Sequence, residues 1–125
     1  MPCPFCNLQR SSFIYESEFV VGILDRFPVG PGHALLITRR HVPTWFDASY
    51  SERQALLDGI EPVRRAVEKL VDRPADGWNV GFNAGRAAGQ TVDHLHLHVI
   101  PRWVGDVADP RGGIRGVIPA KQTYP

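Results

Sequence analysis

His94, His96 and His98 are separated by Leu95 and Leu97. Imidazole is nucleophilic when neutral, binds transition metals and carries protons near pH 7. In an extended strand, residues two apart lie on one face, about 6.6–6.8 Å from each other. The histidines therefore share a face, and the leucines share the opposite, core-facing side with Val99. Three of the five histidines fall in this run, which makes an incidental surface histidine a poor explanation. Two chemistries remain: a three-histidine metal site, and nucleophilic attack on phosphorus. Metal sites usually draw ligands from several strands, and no glutamate follows His98 to complete a cupin-like set.

The segment before the histidines favours phosphorus. Asn83-Ala84-Gly85-Arg86-Ala87-Ala88-Gly89-Gln90-Thr91 is a loop of small residues ending in a hydroxyl. Glycines let backbone N–H groups approach an anion closely, and Asn83 and Thr91 add side-chain donors. A second cluster is Cys3 and Cys6, the only cysteines. A disulfide across so short a span would be strained, so a metal site or a redox pair is expected.

These groups need a scaffold. Phe13–Tyr15 is a short extended candidate, and Phe19–Leu24 and His33–Thr38 are apolar runs joined by a turn with two prolines and two glycines. They predict a hairpin. Ser49 and Glu52 form a capping box ahead of a stripe of Leu56, Ile60, Val63, Val67 and Leu70. That spacing predicts a helix, with Pro62 breaking or kinking it near 59–61. Trp78–Asn83 and Thr91–Ile100 read as two further strands, and residues 103–125 as an irregular tail. The pattern predicts one α+β domain over residues 1–125, an antiparallel sheet with one main helix.

At 125 residues and 43% hydrophobic, the chain has the length and balance of a single globular domain. A net charge of +1 argues against nonspecific nucleic-acid binding. No apolar run is long enough to span a bilayer, and no secretory signal is visible, so a cytoplasmic, reducing setting without membrane partners is expected.

The run from Gly81 to Arg102, Gly-x-Asn-x-Gly-x-x-Ala-Gly-Gln-Thr-Val-x-His-x-His-x-His-Val-x-Pro-Arg, resembles the histidine-triad (HIT) superfamily. Pro31-Gly32-His33, Arg40-His41 and Cys3-x-x-Cys6 are similar to features of its bacterial members. The tail around Asp109-Pro110-Arg111-Gly112-Gly113 resembles members described as dinucleoside polyphosphate hydrolases. The resemblance implies a sheet of about five strands, extended across a homodimer, and action on nucleoside 5′-phosphate derivatives without an organic cofactor.

The residue roles below are implied by that resemblance. The catalytic set is His94, His96 and His98, with His96 the nucleophile at the α-phosphorus and His98 beside the phosphate or leaving group. Asn83, Gly89, Gln90 and Thr91 surround the phosphates. Asp25 either holds the ribose or caps an Asx turn, and Ile23, Leu24 and Phe5 are candidate base contacts. His33 is either a partner of the triad or a turn cap, and Arg111 and Arg115 are candidates for distal phosphates. Structural zinc is implied on Cys3, Cys6, His41 and His94, tethering residues 1–12. Histidine at position 98, where nucleotidyl transferases carry glutamine, implies a hydrolase, such as one for diadenosine tetraphosphate. A phosphoramidate hydrolase, a phosphorylase and a nucleotide-binding protein with vestigial turnover are the alternatives.

Overall fold

The computed structural model describes residues 3–125. Five strands form one antiparallel sheet: β1 (Phe13–Glu16), β2 (Val20–Leu24), β3 (Ala34–Thr38), β4 (Gly77–Gly81) and β5 (His96–Arg102). Their spatial order is β1-β2-β3-β5-β4. Helix α1 (Tyr50–Glu68) packs on one face. This is the α+β arrangement expected, with the β2–β3 hairpin in place.

β2 and β3 are continuous apolar runs because both of their faces are covered. On the helix side, Val20, Leu36, Leu56, Val63, Val67 and Leu97 are fully or almost fully buried. On the other side, Val21, Ile23, Leu35 and Ile37 are covered by Phe5, Leu8 and Phe13. That second cover spans β2 and β3, and His96 and His98 of β5 remain half-buried beside it. Gly32 closes the β2–β3 turn at φ +80°, where a Cβ would collide with Val67 and Val71. The turn and the end of α1 are thereby held together.

The capping box of α1 is formed: Ser49 Oγ accepts the Glu52 N–H at 3.1 Å, and the Glu52 carboxylate accepts the Ser49 N–H at 2.9 Å. The buried Glu52 also takes a two-pronged bond from Arg40, at 2.8 and 3.1 Å. The guanidinium and the Ser49 donors hold its carboxyl below the usual range despite its burial. The helix start is thus pinned to the segment that leaves β3.

Four expectations are corrected. α1 runs through Pro62 without a break. Pro62 and Asp58 are exposed, so the carbonyl that loses its partner faces water, while Val63 and Val67 keep the core face in place. Leu70 is off the stripe, exposed beyond the helix end. The histidine strand begins at His96 and not at Thr91. Leu95 still pairs, donating to Val42 O at 2.7 Å and accepting from Thr38 N–H at 3.4 Å, but the residues before it turn away. β4 likewise ends at Gly81, short of Asn83. The tail holds two short 3-10 turns, Gly113–Val117 and Pro119–Lys121, and no strand. Among the described residues no helix is long and apolar enough to cross a membrane.

Candidate active site and metal centre

β5 lies between β3 and β4, with His96 opposite Ile37 and His98 between Leu35 and Gly81. Proton positions on the histidines follow from what each nitrogen faces, since a carbonyl can only accept and an amide N–H can only donate. His96 Nδ1 lies 2.7 Å from the His94 carbonyl, so Nδ1 carries the proton and Nε2 keeps a lone pair. The Val29 N–H donates to His33 Nδ1 at 3.1 Å, so the His33 proton sits on Nε2. That Nε2 is 2.8 Å from His98 Nδ1 and 3.4 Å from Asp25 Oδ2. Donation to His98 Nδ1 leaves the His98 proton on Nε2. The two neighbouring imidazoles, with centroids 5.3 Å apart, therefore present one acceptor and one donor.

Burial, then the neighbouring His96 and His33, push His98 down to about 4. Burial also lowers His33, against the pull of Asp25. A histidine NMR titration should accordingly find His98 neutral, with Nε2–H, at pH 5. A His98 ring that protonates near its ordinary value of about 6.5 would contradict this arrangement. Because its folded value is depressed, the neutral ring's stabilising contribution is complete above about 6.5 and declines as pH falls toward about 4.

His94 departs from the expected row. It is fully buried, and its Nε2–H donates to Thr38 O at 2.7 Å. Its Nδ1 lone pair faces Cys3 Sγ at 3.3 Å and His41 Nδ1 at 3.2 Å. Both ring nitrogens are engaged away from the open face, so His94 meets the candidate nucleophile through its backbone carbonyl and not its imidazole.

The loop also departs in detail. A 3-10 turn over Arg86–Ala88, flanked by Gly85 at φ +90° and Gly89 at φ +94°, bonds the Gly89 N–H to Arg86 O and the Gln90 N–H to Gly85 O. The Gly85 N–H goes to Gln90 Oε1 at 2.8 Å, and Gln90 Nε2 donates to Pro43 O and Val92 O. Gly89 and the buried Gln90 therefore brace the loop and do not offer free donors to a phosphate. The Asn83 and Thr91 side chains are exposed and make no bond to another described residue.

Asp25 forms the Asx turn, Oδ1 accepting the Phe27 N–H, and its Oδ2 faces His33. His33 is likewise both turn cap and partner of His98. Ile23 and Phe5 lie on the triad face, Phe5 with its ring 5.1 Å from His96. Leu24 falls on the opposite face by strand alternation, opposite Ala34 of the helix-side core, so it is no base contact. Arg115 is tied to Lys121 O, Gln122 O and the Tyr124 ring, and Arg111 pairs with Asp109. Sequence reasoning missed the tail residues that close a cavity beside His98, such as Val107 and Ile114; nothing local in the tail signals that contact.

Cys3, Cys6, His41 and His94 bring four ligand atoms within 4.8 Å of one another. His94 Nδ1 lies 3.3 Å from Cys3 Sγ, 3.6 Å from Cys6 Sγ and 3.2 Å from His41 Nδ1, and Cys6 Sγ lies 3.2 Å from His41 Nδ1. Tetrahedral zinc, at about 2.0–2.1 Å from nitrogen and about 2.3 Å from sulfur, requires separations of about 3.3–3.8 Å. With the His94 lone pair already aimed inward, the donor set fits that metal.

The profile of the HIT domain matches residues 8–104. An uncharacterised HIT-like protein of Saccharolobus solfataricus is 34% identical over 83% of this chain and 76% of its own. The asymmetrical bis(5′-nucleosyl)-tetraphosphatase of Schizosaccharomyces pombe is 34% identical over 79% of this chain, and an AP-4-A phosphorylase of Mycobacterium tuberculosis is 36% identical over 82%. The aligned regions span only 53% and 55% of those two proteins. Among solved structures, a hypothetical histidine triad nucleotide-binding protein of Sulfolobus tokodaii superposes with a TM-score of 0.74 at 36% identity, covering 86% of this chain and 73% of that one. A zinc-bound histidine triad family protein of Mycobacterium smegmatis gives 0.69 at 35% identity, covering 87% and 72%. With the histidine run on its strand and the domain matched across most of its length, this chain belongs to the HIT domain family.

Proposed function

We propose that the protein is a nucleotide hydrolase that cleaves nucleoside 5′-phosphate derivatives at the α-phosphorus, with dinucleoside polyphosphates such as diadenosine tetraphosphate as substrates. The observation that carries this reading is the pairing of a lone pair on His96 Nε2 with an N–H on His98 Nε2. His96 attacks the α-phosphorus, the P–N bond forms, and the bond to the leaving phosphate oxygen breaks with its electron pair. The resulting imidazolium keeps its Nδ1–H on the His94 carbonyl, a charge-assisted bond stronger than the neutral one it replaces. The neutral His98 donates to a phosphoryl oxygen, and Asn83 and Thr91 supply further donors. Water then attacks phosphorus, the P–N bond breaks, and the proton leaves to solvent. The relatives that bear tetraphosphatase and phosphorylase names support this class of substrate.

Zinc on Cys3, Cys6, His41 and His94 supplies a structural tether. It holds residues 3–8 so that Phe5 stays against His96, and no step of the reaction passes through it. A homodimer is also proposed. β4 is a sheet edge, with Val80 exposed on it and Leu57 exposed on α1, and a two-fold pairing would cover them. Sedimentation should give a dimer; a concentration-independent monomer would rule it out. Such an enzyme, without a membrane-spanning helix among the described residues, fits a cytoplasmic setting.

The test is turnover of diadenosine tetraphosphate, adenosine phosphoramidate and nucleotide sugars, with product analysis in the presence and absence of phosphate. Hydrolysis of the dinucleotide to a nucleoside monophosphate and a triphosphate is expected. Turnover dependent on added phosphate would make the protein a phosphorylase. Nucleotide binding without turnover of any of them would leave a nucleotide-binding protein and end the enzyme reading.

A further inference from the structure

A cavity of about 970 Å³ opens on the triad face, starting at His33 and His98 and running past Ile100 to Arg102. Its floor is β4 and β5, and its far wall is the tail, through Val107, Pro110 and Ile114. The tail is held there by specific bonds. Arg102 donates to both oxygens of Asp106 at 2.8 Å and to Asn79 Oδ1 at 2.7 Å. Asp76 accepts the Val104 N–H at 2.8 Å. Gly112 has φ +90°, and a Cβ there would strike the Gln122 carbonyl, so the second half of the tail folds back on the first.

The cavity's character identifies what it takes. The charged side chains lining it are Arg102, Asp106 and Asp109; Arg102 pairs with Asp106, and Asp109 pairs with Arg111, which is outside the lining. Little net positive charge remains to hold a polyphosphate. What remains is apolar, from Val29, Phe82, Ile100, Val107 and Ile114, together with the amide side chains of Asn79, Asn83 and Gln122. Asn79 Oδ1 is engaged by Arg102, which leaves its Nδ2 as a hydrogen-bond donor. A flat, uncharged, apolar group with hydrogen-bonding edges suits these walls, and a nucleobase is such a group. Phe5 and Ile23, the candidate base contacts for the transferred nucleotide, do not line this cavity. The group that occupies it is therefore attached to the phosphate chain on the leaving side, adjoining His98.

We propose that the tail from Trp103 to Gln122 builds a leaving-group subsite for a second nucleoside, with Val107 and Ile114 as the residues that set the preference for dinucleoside over mononucleoside polyphosphates. This rests on the nucleotide reading of the His96–His98 site. Ile114 is 72% and Val107 47% exposed, so substitution at either leaves the core untouched.

The experiment measures binding, by calorimetry, of diadenosine tetraphosphate, adenosine 5′-tetraphosphate and AMP to His96→Ala protein, alone and combined with Ile114→Asp or Val107→Asp. The two tetraphosphates share the phosphate chain and differ in the second nucleoside. The dinucleotide is expected to bind about tenfold more tightly than adenosine 5′-tetraphosphate, and the ratio to fall to within about threefold of unity in the combined variants. AMP binding with equal affinity for the two tetraphosphates would overturn the subsite and leave the nucleotide site standing. A ratio unmoved by both tail substitutions would overturn it as well. Failure of all three nucleotides to bind would overturn the nucleotide reading and the subsite together.

Discussion

His96→Ala protein should lose turnover by about 10⁴-fold or more while retaining its nucleotide affinity within a few-fold. The substitution removes the Nε2 lone pair and nothing else near the phosphate: His98, Asn83 and Thr91 keep their positions. Loss confined to kcat is the signature of a group that acts in the transition state. His96→Asn is a milder test of the same point, since it fills part of the ring's volume without a comparable nucleophile. Acid-sensitive, base-stable label should accumulate on His96 when turnover of a substrate labelled at the α-phosphate is quenched. Near wild-type hydrolysis by His96→Ala with no label on the protein would make water the attacking group, and label on another residue would make that residue the nucleophile in place of His96.

Zinc removal is expected to have the next largest effect. Protein purified without added metal should carry about one zinc per chain, because four ligands of the correct softness already converge. Chelation, or Cys3→Ser, should lower the melting temperature by about 10 °C or more. The sheet and helix keep their own core, so the loss is local and not a global unfolding. The segment that loosens carries Phe5 and Leu8, which cover Ile23, Leu35 and Ile37. Because the Phe5 ring abuts His96, kcat should fall as well. Metal-free protein with both thiols freely titratable and an unchanged melting temperature would rule out the site.

Much of this was legible in the sequence because it rests on short-range periodicity. The His–Leu alternation placed the histidines and the core on opposite faces, and the structure keeps that arrangement from His96 onward. The Ser49–Glu52 capping box and the α1 stripe were readable for the same reason: each depends on residues at most four apart. Pro62 predicts a break that α1 does not show, because its effect depends on which way the freed carbonyl points. That carbonyl faces solvent here, a fact set by how α1 lies on the sheet.

The roles of individual side chains were decided by contacts between residues far apart in the chain. His94 and His96 look equivalent in the sequence. They differ because Thr38 O takes one nitrogen of His94 and the cysteine cluster takes the other, whereas His96 is anchored by one nitrogen and free at the second. The family resemblance makes Gln90 a phosphate ligand, whereas in the fold its side chain donates to Pro43 O and accepts from the Gly85 N–H. The tail carried no periodic signal at all, yet it forms a wall of the cavity beside His98 through Asp106 on Arg102 and Gln122 against Gly112. Periodicity along one segment determines which face a residue is on. Which of its polar atoms remains free depends on partners that only the folded chain brings within hydrogen-bonding distance.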